Sequence, residues 1–168
     1  GIVVVDTQRS IVSTNQRFLD IFEFPPEIIA SNSEEQAFDW SLRNKIVDPV
    51  AVAAQMDDAL ARPEMPGNYE VTLTNGQVFE IHRAPILQGD RVQGRIWFFH
   101  DITERKQALE NLRASEERLR LVIENAPDAI LVYDFDQSRF IDTNKAAERL
   151  FGCGRDEILK LGPRHFYA

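Results

Sequence analysis

The sequence predicts an α+β fold, a five-stranded antiparallel sheet with short helices on one face, and three observations carry that expectation. A β-branched run, Ile2 to Val5, is followed by a polar turn, Thr7 to Ser10, and a second short run at Ile11-Val12, which reads as a hairpin. A helical stretch punctuated by Ser, Asp and Pro fills Ser33 to Arg62. Three further strands then follow one another through tight turns: Tyr69, Val71 and Leu73 alternate with polar residues, Asn75-Gly76 is a strong hairpin signal, and Gln88-Gly89-Asp90 makes a second turn.

Taken in order, Thr14-Asn15 is placed to cap a short amphipathic helix whose face is Phe18, Ile21 and Phe22. Pro25-Pro26 ends it, and Pro26 opens another helical turn at Glu27-Ile28-Ile29. Ser33 is the expected cap of a helix carrying Ala37, Phe38, Trp40 and Leu42, and Asp48-Pro49 starts the next one, with Val50, Ala53, Ala54, Met56, Asp57 and Leu60. Pro63, Pro66 and Gly67 close the helical part. Val78 to Leu87 and Val92 to Ile102 are the last two strands. In the final one Ile96 and Phe98 point one way and Trp97 and Phe99 the other, so both faces need cover. The short helices supply one cover; a helix from outside this segment, or a second chain, is expected to supply the other.

At Phe99 to Lys106 an apolar strand stops and a charged helix begins. From Glu104 to Asn125 there is no Gly or Pro, and Ala, Leu, Glu and Arg predominate. Asp101 and Thr103 are expected to accept hydrogen bonds from the first helical amides. Ala108, Leu112, Ser115, Leu119, Val122 and Ala126 alternate steps of four and three, the spacing of a coiled-coil seam. Leu109, Leu112, Glu116, Leu119 and Ile123 form a competing register. The pairs Arg113 with Glu117 and Glu116 with Arg120 are four apart on the opposite face, where a salt bridge adds a few tenths of a kcal/mol.

Beyond that helix the pattern starts again. Ala129-Ile130-Leu131-Val132-Tyr133-Asp134 matches Gly1-Ile2-Val3-Val4-Val5-Asp6, and Phe140-Ile141-Asp142-Thr143-Asn144 matches Ile11-Val12-Ser13-Thr14-Asn15, with the offset changing by one residue in the turn. A phenylalanine lies seven beyond the asparagine in both, Phe22 and Phe151, and Glu157-Ile158-Leu159 echoes Glu27-Ile28-Ile29. This is an internal repeat. Its second copy ends at Ala168 before any three-stranded meander, and an isolated two-stranded hairpin is marginal in water, so completion by a neighbouring chain or loose order is expected.

Composition narrows the function classes. The 168 residues are 43% hydrophobic, enough for a packed core. Nineteen basic against 27 acidic residues, a net charge of −8, argue against nucleic acid or an anionic membrane surface as partner. No apolar run approaches the roughly 20 residues of a membrane span. Cys153 is the one cysteine, which excludes an internal disulfide and a cysteine-based zinc cluster and suggests a reducing, cytoplasmic setting, although the parent protein could be membrane-anchored. The chain opens within a strand, so it is expected to belong to a longer protein. Glu34-Glu35 and Asp57-Asp58 are adjacent rather than facing carboxylates and are expected to be solvated.

These residues together resemble a PAS domain. Asp101-Ile102-Thr103-Glu104-Arg105-Lys106 is similar to the Asp-Ile-Thr signature that ends such domains and starts their signalling helix. Asn15, Phe18 and Phe22, and again Asn144 and Phe151, resemble the family's first helix; Gly76 to His82 and Gly94 to Phe98 resemble its central strands. Ser115 to Arg120, followed by Glu124 to Ile130, is similar to the entry into a second copy. The resemblance implies a first PAS domain over 1–103 lacking its N-terminal cap, a linker or signalling helix over 104–126 and an incomplete second PAS domain over 127–168. It implies a sensory or dimerising module of a bacterial signalling protein, foremost a sensor histidine kinase, alternatively a diguanylate cyclase or phosphodiesterase, or a ligand-free dimerisation spacer.

The same resemblance implies a cavity between sheet and helices, with Phe22, Phe38, Trp40, Ile46, Met56, Phe79, Ile81, Trp97 and Phe99 as candidate liners; each is first expected to serve ordinary core packing. Asp101, Ile102, Thr103, Leu112 and Leu119 are the expected signal relay. No catalytic or metal-binding residue is expected, because kinase, cyclase and phosphodiesterase motifs are absent from this sequence. Haem-binding relatives use a histidine of the helical segment, and Ser31 to Pro66 has none; His82 and His100 fall on strands. Flavin-photoadduct relatives need a cysteine that the first copy lacks. The expected partners are a second copy through the linker helix and a kinase or cyclic-di-GMP output domain in the same chain.

Overall fold

The computed structural model describes residues 1–160. Residues 161–168 of the expected second unit lie outside the described residues. The chain divides into two compact units, residues 1–107 and 108–168.

The first unit opens with β1 (Ile2–Asp6) and β2 (Ile11–Thr14). Four helices follow: α1 (Gln16–Phe22), α2 (Pro26–Ser31), α3 (Glu34–Asn44) and α4 (Pro49–Ala61). Their starts follow local chemistry. The side chains of Asn15, Ser33 and Asp48 accept from the backbone N–H of Phe18, Gln36 and Ala51, and Pro26 and Pro49 stand in the first helical turn, where a missing N–H costs nothing. Then come β3 (Gly67–Thr72), β4 (Val78–Gln88) and β5 (Arg91–Asp101).

The sheet order is β2-β1-β5-β4-β3, all antiparallel. Its first and last segments thus meet in the middle, where Val3 opposes Trp97 and Ile81 opposes Phe99. Gly76, at φ 86°, occupies the β3–β4 turn, a backbone region that glycine enters without steric cost. Gly94 answers a different need: a Cβ there would lie 2.3 Å from the Val5 carbonyl oxygen.

The core sits between this sheet and the helices. Val3, Val5, Phe18, Phe22, Ala59, Leu73, Phe79 and Trp97 are among its buried members. Phe99 packs on Phe18 and Phe22 with ring centroids 5.2 and 5.4 Å apart, so Trp97 and Phe99 are the helix-facing pair of β5. On the other face Phe98 remains exposed.

The helix α5 (Thr103–Glu124) begins two residues after β5 ends. Leu112 and Leu119 are 55% and 59% exposed within the single chain, and Leu109, Val122 and Ile123 are exposed too. Among the described residues no ion pair joins Arg113 to Glu117 or Glu116 to Arg120, contrary to the sequence expectation. On an open helix surface the small Coulomb gain does not outweigh the side-chain entropy of closing such a pair.

The second unit holds β6 (Leu131–Asp134), β7 (Arg139–Thr143), α6 (Lys145–Phe151) and α7 (Arg155–Ile158). The repeat is visible in detail. The β1–β2 register slips between Val4 and Val5, and the β6–β7 register slips at the corresponding place, between Val132 and Tyr133. Ala146, Ala147 and Ile158 form its buried centre.

Candidate functional site: a small apolar cavity and a strand-to-helix junction

The inward face of the sheet repeats every second residue, so Ile81 on β4 and Trp97 on β5 point towards the helices. Between them and α3–α4 lies a cavity of about 80 Å³, lined by Phe22, Phe38, Ser41, Ile46, Val52, Gln55, Met56, Tyr69, Val71, Ile81 and Trp97. Six of the expected liners meet there: Phe22, Phe38, Ile46, Met56, Ile81 and Trp97. Trp40, Phe79 and Phe99 do not. Trp40 packs on Phe24 at 5.3 Å, Phe99 closes the Phe18–Phe22 cluster, and Phe79 is buried in the sheet two residues nearer the junction. The lining is almost wholly apolar; Ser41 spends its hydroxyl on the Ala37 carbonyl at 2.8 Å.

Charge surrounds this apolar wall at one end. Arg83 and Arg95 are two residues from Ile81 and Trp97, so the alternation that turns those side chains inward turns the arginines inward as well. Arg83 Nη1 donates to the Ala59 carbonyl oxygen near the end of α4 at 2.6 Å, and its guanidinium lies 5.9 Å from the Trp97 ring centroid. Arg95 Nη2 donates to Glu34 Oε2 at 2.8 Å, and Arg9 Nε donates to the same oxygen at 3.1 Å. Glu34 was expected to be solvated. It is instead 6% exposed, because α3 starts against the β1–β2 turn, where the Glu34 N–H also donates to the Arg9 carbonyl at 3.0 Å. Its neighbour Glu35 and also Asp57 are exposed. Sequence reasoning missed this triad, although the inward parity of Arg83 and Arg95 was a readable sign that buried carboxylate or carbonyl partners were required.

At the junction the β4–β5 ladder runs on into the helix. Phe79 opposes Asp101; one step further, Ile102 N–H donates to the Val78 carbonyl at 2.9 Å, and Val78 N–H donates to Thr103 Oγ1 at 2.9 Å. Thr103 in turn donates its hydroxyl to Asp101 Oδ1 at 2.5 Å and its N–H to the same oxygen at 3.0 Å, while Gln77 Nε2 donates to Asp101 Oδ2 at 3.2 Å. Asp101 therefore accepts the first helical amide, as expected from sequence. Thr103 does not: its oxygen serves the sheet, because Val78 is the β4 amide left over when β5 turns into α5. Ile102 is buried beneath the turn.

The Thr103 hydroxyl, with its N–H, the charge of Arg17 and Gln77 acting in the same sense, holds the Asp101 carboxyl below the usual aspartate range, against an opposing contribution from desolvation. A carboxylate whose pKa is depressed on folding adds stability that is present above its unfolded pKa and lost as pH falls through the folded one. The amide protons of Val78 and Thr103 should therefore keep their protection through the ordinary aspartate titration range and lose it at a lower pH. NMR-detected exchange along an acid titration checks this, and loss at an ordinary aspartate pH would contradict it.

His82 is half-buried, its Nδ1 2.6 Å from Asn68 Oδ1 and its Nε2 3.3 Å from Glu80, and His100 is exposed. Cys153 is a free, partly buried thiol. Among the described residues no group of three or more His, Cys, Asp or Glu side chains is placed to hold a metal ion, and no helix is long and apolar enough to cross a membrane.

A sheet ordered β2-β1-β5-β4-β3 around short helices, with its last strand continuing into a helix, agrees with what the sequence resembles, and a family model described as "PAS fold" matches residues 1–110. The chain belongs to the PAS family. A second model, described as "PAS domain", matches residues 117–167, so the repeat is a second, partly present PAS unit. Sporulation kinase E of Bacillus subtilis (strain 168) is 24% identical over 166 residues, 94% of this chain. The chain spans about one fifth of that relative, 20% of its length. Among solved structures, the sensor region of a sensor histidine kinase is 17% identical, with a TM-score of 0.49 over 63% of this chain and 40% of that one. The PAS domain of BvgS from Bordetella pertussis is 21% identical, with a TM-score of 0.48 over 70% of this chain and 87% of that one.

Proposed function

We propose that the chain is the sensory and dimerising part of a bacterial sensor histidine kinase, and that it passes a change in the packing of the first PAS core through α5 to whatever follows. The observation that carries this reading is the ladder from β4 through Ile102 and Thr103 into α5, because a shift of the β4–β5 pair has to move the first turn of the helix. The match to Sporulation kinase E supports the kinase setting. In this reading the chain performs no catalytic step itself, works in the cytoplasm, and engages neither nucleic acid nor membrane. Its partners are a second copy along α5 and a kinase output domain in the same polypeptide.

The exposed leucines of α5 support the pairing, since Leu112 and Leu119 belong to both seam registers and are left uncovered by their own chain. Two registers sharing those residues make the rod a candidate two-state element. Crosslinking of single-cysteine variants from Leu109 to Ile123, in full-length protein with Cys153 replaced by serine, tests it. Efficiency should peak at steps of three and four, with Leu112 and Leu119 high and Arg113 low. A flat pattern would remove the dimer, and a pattern identical in resting and stimulated cells would remove the relay.

One observation favours a second reading, a ligand-free dimerising spacer: the cavity, at about 80 Å³, is far below the roughly 300–1,000 Å³ of usual ligand pockets. This reading carries no haem and no flavin adduct, in keeping with a helical segment, 31–66, without histidine and a first unit without cysteine. Purified protein should show no Soret or flavin band, and a stoichiometric small molecule in native mass spectrometry would rule the spacer out.

A further inference from the structure

The capping asparagine recurs in both units, and its oxygen accepts the same pair of amides in each. In the first, Asn15 Oδ1 accepts from the N–H of Ile2 at 2.9 Å and of Phe18 at 3.1 Å, and the residue is exposed. In the second, Asn144 Oδ1 accepts from the matching amides, Ile130 at 2.9 Å and Ala147 at 3.0 Å. Its Nδ2 does more. It donates to the carbonyl oxygens of Ile123 and Asp128, both at 2.9 Å, and the residue is 0% exposed.

Each polar hydrogen and the carbonyl oxygen of this amide has a partner, and the two ends are not interchangeable: two N–H groups face Oδ1 and two carbonyls face Nδ2. Ile123 belongs to the last turn of α5, whose final carbonyls have no partner within the helix. One side chain therefore joins the end of α5, the segment after it, the residue that leads into β6 and the start of α6. Fully satisfied buried polar groups specify one arrangement, because any shift strands a group in a place water does not reach.

We propose that Asn144 is the positioning residue that fastens the end of α5 to the second PAS unit, so that a rotation of the rod is delivered to the β6–β7 hairpin. This deepens, and rests on, the relay reading above.

Amide exchange by NMR on the 168-residue chain tests the proposal, with Asn15 as internal control. The Asn144 side-chain NH₂ should exchange at least about tenfold more slowly than that of Asn15. Asn144→Asp keeps an oxygen for Ile130 and Ala147 but sets a second oxygen against two carbonyls; Asn144→Ser keeps only the cap to α6. Both should raise backbone exchange over 121–130 by about tenfold or more while 148–151 changes by less than about threefold, and Asn15→Asp should leave 1–22 within about twofold. If the aspartate variant melts the whole second unit, the serine variant decides. Equal side-chain exchange at Asn144 and Asn15, or a rise spread evenly over 121–151 in the serine variant, would overturn the proposal. Crosslinking along α5 fails separately: an invariant seam with this pattern of exchange intact would remove the relay and leave the fastening.

Discussion

Glu34→Ala is expected to destabilise the first PAS unit by about 3–5 kcal/mol, because it leaves buried positive charge without its counter-ion. Glu34 and Arg95 are 6% and 7% exposed, and Glu34 Oε2 receives both Arg95 Nη2 and Arg9 Nε. The triad links the β1–β2 turn, the start of α3 and the central strand β5, so its loss removes both a charge balance and a long-range tie. The size of the effect reflects the unpaired partners rather than the net worth of the salt bridge. Hence the variant Arg9→Leu, Glu34→Leu, Arg95→Met should recover most of what Glu34→Ala loses. Both tryptophans, Trp40 and Trp97, lie in this unit, so their fluorescence during urea unfolding reports it alone. A loss under about 1 kcal/mol for Glu34→Ala would mean that water reaches the site and screens it.

Phe79→Ala should cost about as much, roughly 3–5 kcal/mol, by a different route. Phe79 is 1% exposed and is among the largest fully buried side chains. Truncation removes apolar contact and leaves a hole in a region too rigidly paired to collapse, since β4 is held by β3 on one side and β5 on the other. Because Phe79 opposes Asp101, the hole sits beneath the strand-to-helix turn. The variant should thus lose exchange protection at Ile102 and Thr103 before it loses protection at Val3 to Val5. Simultaneous loss in both places would show that the junction has no local weakness at Phe79, and a stability change below about 1.5 kcal/mol would show that the core repacks around the hole.

Legibility from the sequence tracked the range over which each interaction acts. The caps at Asn15, Ser33 and Asp48, the prolines at the helix starts and the turns at Asn75-Gly76 and Gln88-Gly89 are decided within a few residues, and all could be read directly. The repeat was legible for the same reason: Asn144 and its hairpin reproduce local bonds made by Asn15. The junction was half legible. Asp101 caps the first helical amide two residues away, but Thr103 turns to Val78, 25 residues distant, and only strand pairing brings that amide within reach.

Of the candidate cavity liners, Phe22, Phe38, Ile46 and Met56 converge with the strand residues Ile81 and Trp97, whereas Trp40, Phe79 and Phe99 point into other parts of the same core. Apolar character says that a side chain is buried, not which neighbours it meets. The sequence by itself determined the element types, the turns, the caps, the sheet-and-helix class and the repetition, because each rests on the backbone preferences and short-range hydrogen bonds of adjacent residues. The tertiary structure alone decided the burial of Glu34 between Arg9 and Arg95, the second purpose of Asn144 and the dimensions of the cavity, because those depend on groups 16 to 61 residues apart that meet only after the chain has packed.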